Sequence, residues 1–125
     1  MFERLIKIAS KKIDLPRGSH KHFSFILRRN TILSYGVNNE NKTCPLGYKA
    51  GSTYFRQHSE AAAIRRFPNP LEELEYCRMV NIRLSSYNGQ IQLSKPCKFC
   101  QTMLGMFNLK QVYYSDNTGN FIELI

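Results

Sequence analysis

Long apolar runs are missing from this chain of 125 residues, so a membrane-spanning helix is not expected. Its opening, Met1 to Lys12, mixes Phe, Leu and Ile with Glu3, Arg4, Lys7 and Lys11 where a secretory signal would show an unbroken apolar centre. Glu3 and Asp14 likewise argue against an organelle presequence and for a first helix of the domain. Cysteine is sparse. Of the four, Cys97 and Cys100 stand in a ligand-like spacing, while Cys44 and Cys77 lie in segments of different character, which is no disulfide framework and suits a reducing compartment. Cys44, before Pro45, reads as a loop thiol and Cys77 as a small core residue opening an apolar strand. An intracellular, cytoplasmic protein is therefore expected.

Acidic side chains are also scarce: nine Asp and Glu stand against 18 Lys and Arg, a formal charge of +9. A field of that sign concentrates phosphate-bearing partners around any fold. Free nucleotides, single-stranded nucleic acid and plain solubility all fit it. Arg28-Arg29 at a hairpin and Arg65-Arg66 on the outer side of a helix are ordinary places for solvated charge. No repeat, low-complexity tract or linker interrupts the sequence. With 42% hydrophobic residues, the length suits one compact domain over 1–125 with its own core.

Phe2, Leu5, Ile6, Ala9 and Ile13 recur at helical spacing until Pro16-Arg17-Gly18-Ser19 breaks the pattern. His22 to Leu27 and Thr31 to Val37 flank Arg28-Arg29-Asn30 as a β-hairpin ending near Gly36. A long polar loop is expected from Asn38 to Gln57. His58 to Phe67, with its three consecutive alanines, reads as a short helix stopped by Pro68-Asn69-Pro70. Leu71 to Tyr76 suggests an acidic turn, and in Cys77 to Ser85 the residues Val80, Ile82 and Leu84 alternate with Asn81, Arg83 and Ser85 as a strand. Asn88-Gly89 marks a turn. Cys97, Cys100, Met103, Leu104 and Phe107 share a helical face, and Gln111 to Ser115 and Asn120 to Ile125 form two strands around Asp116-Asn117-Thr118-Gly119. The predicted order is αββαβαββ.

His58-Ser59-Glu60 and Pro96-Cys97-Lys98-Phe99-Cys100 each open one of these helices. One histidine and two thiolates can hold three sides of a zinc ion and leave the fourth to water, whose pKa zinc lowers to about 7. A helix start favours thiolate over thiol, and Pro96 suits the entry because no backbone donor is needed there. Glu60, two residues from His58, is free to act as a proton shuttle. A C-x-x-C alone could be half of a structural site or a redox pair, and an H-x-E alone is weak. A fourth protein ligand would make the site structural; Cys44, His20 and His22 are the available candidates, none in a ligand spacing.

In combination these residues match the H-x-E and P-C-x-x-C pattern of zinc-dependent nucleobase deaminases, and the chain resembles the cytidine and deoxycytidylate deaminase superfamily. The resemblance implies a three-layer α/β fold whose mixed five-stranded sheet ends in an antiparallel hairpin, with both metal-bearing helices on one face. It implies one Zn2+ per chain on His58, Cys97 and Cys100. Glu60 would carry protons in converting cytosine to uracil in a nucleoside or nucleotide.

Gly36-Val37-Asn38-Asn39-Glu40-Asn41 resembles the G-x-N-x-E-N stretch of free-nucleoside deaminases, which gives Asn38 and Glu40 sugar-binding roles, although such a run is also ordinary turn chemistry. The same resemblance sets Ser59, Pro96 and Phe23 beside the substrate. A tight turn before the last strand forces it antiparallel, as in the nucleoside enzymes, whereas polynucleotide-editing relatives need a helical crossover for which no sequence remains before Ile125. Two features depart from the nucleoside pattern. Lys42 to Gln57 is an insertion carrying Lys42, Tyr48, Lys49, Tyr54, Phe55 and Arg56, which could stack a base and hold a phosphate, close a lid, or pack on a neighbouring subunit. Phe23 to Leu27 lacks the small residues usual near the pyrimidine. A single-stranded DNA or RNA cytosine or adenine deaminase is the nearest alternative, and a catalytically silent zinc module a further one. The family resemblance also suggests a homo-oligomer.

Overall fold

A computed structural model describes residues 1–18, 20–43 and 56–125, with the side chains of Lys42, Thr43 and Arg56 outside that description. The helices are α1 (Phe2–Lys11), α2 (Ser59–Arg65) and α3 (Lys98–Gly105), with a 3-10 turn at Leu71–Tyr76. The strands are β1 (Lys21–Arg28), β2 (Thr31–Val37), β3 (Asn39–Thr43), β4 (Arg56–Gln57), β5 (Arg78–Leu84), β6 (Ile91–Gln92), β7 (Gln111–Ser115) and β8 (Phe121–Glu123). The main sheet runs β2-β1-β5-β7-β8, with β6 paired to β5. It is open and mixed: β5 and β7 are parallel, and the other pairs are antiparallel.

Strand alternation assigns the two faces of this sheet. Phe23, Phe25 and Leu27 of β1, with Val80, Ile82 and Leu84 of β5, pack against Leu5 and Ala9 of α1. Ile26 and Met79 point the other way, into a second cluster with Ala61, Ala63 and Ile64 of α2 and Met103 and Leu104 of α3. Helices therefore cover both faces, and α2 and α3 share one. Phe2 anchors α1 across the sheet by stacking on Phe121 at 4.2 Å and meeting Tyr113 edge-on at 5.4 Å.

The polar loop expected over Asn38 to Gln57 is corrected at both ends. β3 and β4 pair antiparallel, with Asn39 opposite Gln57 and Thr43 opposite Arg56, and Arg17 bridges to Asn39. Asn39-Glu40-Asn41-Lys42-Thr43 offers no apolar alternation because this ribbon stands outside the main sheet. β6 adds a sixth strand to the expected five; two residues are too few to show a period. His58 stands just ahead of α2 in extended conformation, so the helix begins one residue later than expected. Cys77 is fully buried, and no helix among the described residues is long and apolar enough to cross a membrane.

What brings α2 down onto the sheet is small side chains on both sides. From Ser59 to Ile64 every residue of α2 is buried, three of them alanines. At Gly36 of β2 an added Cβ would overlap the backbone of Ser59, Ala62 and Ala63. Ser34 fixes the approach by donating to the Ala63 carbonyl at 2.9 Å. Gly36→Ala must push the helix away, and overpacking of this kind costs about 1–3 kcal/mol or more. Chemical denaturation should show that loss, whereas Gly105→Ala, with nothing within 4 Å, should be neutral to mildly stabilising.

Candidate metal centre

Two helix starts converge at one point. His58 is the N-cap residue of α2 and Cys97 that of α3, both extended and neither making a side-chain capping bond, and Cys100 follows in the first turn of α3. The sequence runs into Cys97 through Ser94, whose backbone N–H donates to the Ser115 carbonyl at 2.9 Å and whose hydroxyl donates to the Asn81 carbonyl at 2.8 Å. That segment is thus pinned to β5 and β7 before α3 begins.

His58 Nδ1 lies 3.0 Å from Cys100 Sγ and 3.7 Å from Cys97 Sγ, and the three ligand atoms all fall within 4.8 Å of one another. Tetrahedral zinc with its usual bond lengths would set nitrogen and sulfur about 3.5 Å apart, so the spacing fits a single ion. The proton chemistry fits as well. Hydrogen bonding from Cys100, and then from His58, lowers the Cys97 thiol to about 4. The same Cys97 sulfur, as hydrogen-bond partner, raises His58 and raises Cys100, the latter aided by burial. Three ligand atoms this close share protons between them, and a cation of suitable size could take the place of those protons.

Glu60 lies beneath this group, 6% exposed, with burial the main force raising its pKa. A ring of buried polar atoms holds it. Ser59 Oγ is 3.1 Å from Glu60 Oε1, Ser24 Oγ is 2.8 Å from Ser59 Oγ and 2.6 Å from Asn81 Oδ1, and Asn81 Nδ2 donates to Glu60 Oε2 at 3.4 Å. With a charged carboxylate the two hydroxyls and the amide supply three hydrogens for these four contacts. A protonated Glu60 supplies the fourth. The ring thus accommodates the carboxyl in both states, with a complete hydrogen-bond circuit when it carries a proton.

A cavity of about 490 Å³ opens over the site, lined by His58, Cys97, Glu60 and Ser59 and also by His20, His22, Asn38, Glu40, Gln57, Ser94, Lys95 and Phe99. Of the sequence-predicted substrate contacts, Asn38, Glu40 and Ser59 reach this lining. Asn38 uses its amide structurally, accepting from the His22 N–H at 2.9 Å and donating to the His20 carbonyl at 2.8 Å. Pro96 is buried behind the lining, its carbonyl accepting from Gln101 Nε2 at 2.9 Å. Phe23 lies on the opposite face of the sheet, under α1, because alternation along β1 turns Ser24 toward Glu60 instead. His20 and His22 line the cavity but stand outside the three-ligand group found among the described residues. Cys44, Tyr48, Lys49, Tyr54 and Phe55, and the side chains of Lys42 and Arg56, lie outside the described residues.

Ser24 and Asn81 are the residues that sequence reasoning missed. Each is a small polar residue among the apolar residues at the middle of its strand, the one signal that could have exposed them. His22 has a further property: burial, and then the charges of Arg83, His20 and His58, lower its pKa to about 4. No family model matches this chain, and no curated protein matches it.

Two outcomes are expected. Zinc titration against a chromophoric chelator should give one ion per chain, and Cys97→Ser or His58→Ala should weaken binding by more than the roughly 10- to 100-fold that loss of a supporting group costs. Because the folded pKa of His22 lies below the unfolded value of 6.5, the unfolded chain binds more protons between pH 6.5 and about 4. Stability from this group is present above pH 6.5 and falls as pH drops toward 4, so His22→Gln should flatten that part of a denaturation series.

Proposed function

We propose that this protein is a zinc-dependent hydrolytic deaminase that converts the cytosine base of a nucleoside or nucleotide to uracil, releasing ammonia. The observation that carries the reading is Glu60: a buried carboxyl, hydrogen-bonded so that it can hold or give up a proton, beside a three-ligand His/Cys/Cys group and in the lining of an open cavity. A purely structural metal site has no use for such a group. The arrangement of β5 and β7 in parallel, with α2 and α3 on one face and β8 returning antiparallel, agrees with the nucleoside-type resemblance drawn from the sequence.

His58, Cys97 and Cys100 would hold zinc, which when bound supplies the Lewis acidity that makes water a nucleophile at neutral pH. Glu60 takes one proton from the attacking water and delivers it to the ring nitrogen of the base. It then passes the second proton to the departing amine, so that water and an aminopyrimidine become the carbonyl product and ammonia. Asn81 and Ser59 keep the carboxylate oriented through this cycle, and Ser24 holds both of them. A raised carboxyl pKa suits the task, because an ordinary Glu would be too weak a base at neutral pH. In this reading the enzyme works in a reducing, cytoplasmic compartment.

Ammonia release or base conversion on cytidine, deoxycytidine, their monophosphates, and single-stranded DNA and RNA tests the assignment. The zinc-replete protein should turn over at least one of these, and Glu60→Ala should lower kcat by about 10²- to 10⁴-fold, the usual share of general acid–base catalysis. Absence of turnover on the whole panel would refute the reading, and equal rates with and without Glu60 would remove its catalytic role.

A further inference from the structure

The cavity lining carries basic side chains apart from the metal group. His20 and Lys95 both line it, the first just before β1 and the second two residues ahead of Cys97. Behind His20 stands Arg83, whose Nη2 is 2.6 Å from His20 Nδ1. A guanidinium can only donate, so Nδ1 is the accepting nitrogen and the ring carries its proton on Nε2. Arg83 therefore fixes both the orientation and the tautomer of His20, presenting an N–H donor. Its own Nε is buried with no hydrogen-bond partner among the described residues.

Register places this cluster relative to the metal centre. Arg83 lies directly opposite His22 across β1 and β5 and two residues along β5 from Asn81, hence on the same face of the sheet and about 7 Å further along the strand. Asn81 contacts Glu60 and Arg83 braces His20, so one strand supports both. Two carboxylates share the lining, Glu40 and Glu60. Glu60 is engaged by the serine and asparagine ring. Glu40 is packed over Gly18, where an added Cβ would stand 2.6 Å from its carboxyl carbon. Burial is the main cause of the lowered His22 pKa, and the charge of Arg83 opposite it adds to the effect.

We propose that His20, held by Arg83, and Lys95 form a subsite for a phosphate group carried by the substrate. The inference rests on the deaminase reading for the identity of the base and narrows its substrate to nucleoside phosphates over free nucleosides. The N–H of His20 and the ammonium of Lys95 supply charge-favoured donors to phosphate oxygens, and Arg83 adds a permanent positive charge one atom layer behind. A 5′-monophosphate and the phosphodiester of a single strand present the same oxygens.

Binding distinguishes the outcomes without turnover. Calorimetry with zinc-replete Glu60→Ala protein would compare cytidine, cytidine 5′-monophosphate, uridine 5′-monophosphate, inorganic phosphate and a short single-stranded oligonucleotide at low and high salt. The monophosphate should bind about tenfold or more tighter than cytidine, the scale of one charge-assisted contact. Lys95→Ala and Arg83→Gln should each erode that ratio while cytidine affinity stays the same. Lys95 is exposed, so its variant keeps the test informative should Arg83→Gln fail to fold. Tighter binding of the oligonucleotide with a steep salt dependence would assign the phosphate to a polynucleotide, and tighter binding of the monophosphate with a shallow one to a free nucleotide. Equal binding of cytidine and its monophosphate, or a ratio untouched by both substitutions, would overturn the subsite. Binding of inorganic phosphate and both monophosphates alike, lost in the variants and with no affinity for cytidine, would uphold the subsite and count against the cytosine reading instead.

Discussion

Because Gly36 has no Cβ, the backbone of α2 comes into contact with β2, and every polar contact of Glu60 depends on that approach. Moving the helix out by the width of a methyl group would lengthen the Ser24 to Ser59 contact and draw Glu60 away from Asn81. It would also shift His58 relative to the cysteines, which belong to a helix seated elsewhere on the same face. The alanines of α2 serve the same end, since larger side chains would hold the helix off the sheet. Packing density and site geometry are one constraint here: the core cluster under α2 is continuous with the layer that carries the carboxyl.

Burying a carboxyl beside two thiols and an imidazole is costly unless each polar atom finds a partner. The ring through Ser24, Ser59 and Asn81 meets that demand with neutral groups only, and the cationic Arg83 stands two residues further along β5. A lysine or arginine beside Glu60 would have satisfied the charge at the expense of its basicity, because an adjacent cation lowers a carboxyl pKa. One strand, β5, thus supports two chemically different groups, Glu60 through Asn81 and His20 through Arg83.

Local signals were enough for the candidate metal ligands and for most of the elements. His58, Cys97 and Cys100 are recognisable because their spacing and their positions at helix starts are both short-range properties, and Val80, Ile82 and Leu84 alternate visibly within five residues. What could not be read depends on register between distant segments. Whether Phe23 or Ser24 faces the site is fixed by how β1 is laid against β5 and α2, and a shift of one residue would exchange them. The pairing of His20 with Arg83 spans 63 positions, and nothing near either residue announces it. β3 was hidden for a different reason: its polar run contributes to no apolar face, so its pairing with β4 left no periodic trace.

His58 and Cys97 occupy N-cap positions without performing the usual capping role, so both helix starts leave backbone donors unmatched by their own first side chain. An ion held between them would tie these two starts together across 39 residues of sequence. It would therefore act as a shared clasp for α2 and α3. Removing it should loosen both first turns at once, and with them Glu60, which makes the carboxyl's alignment conditional on the metal's presence.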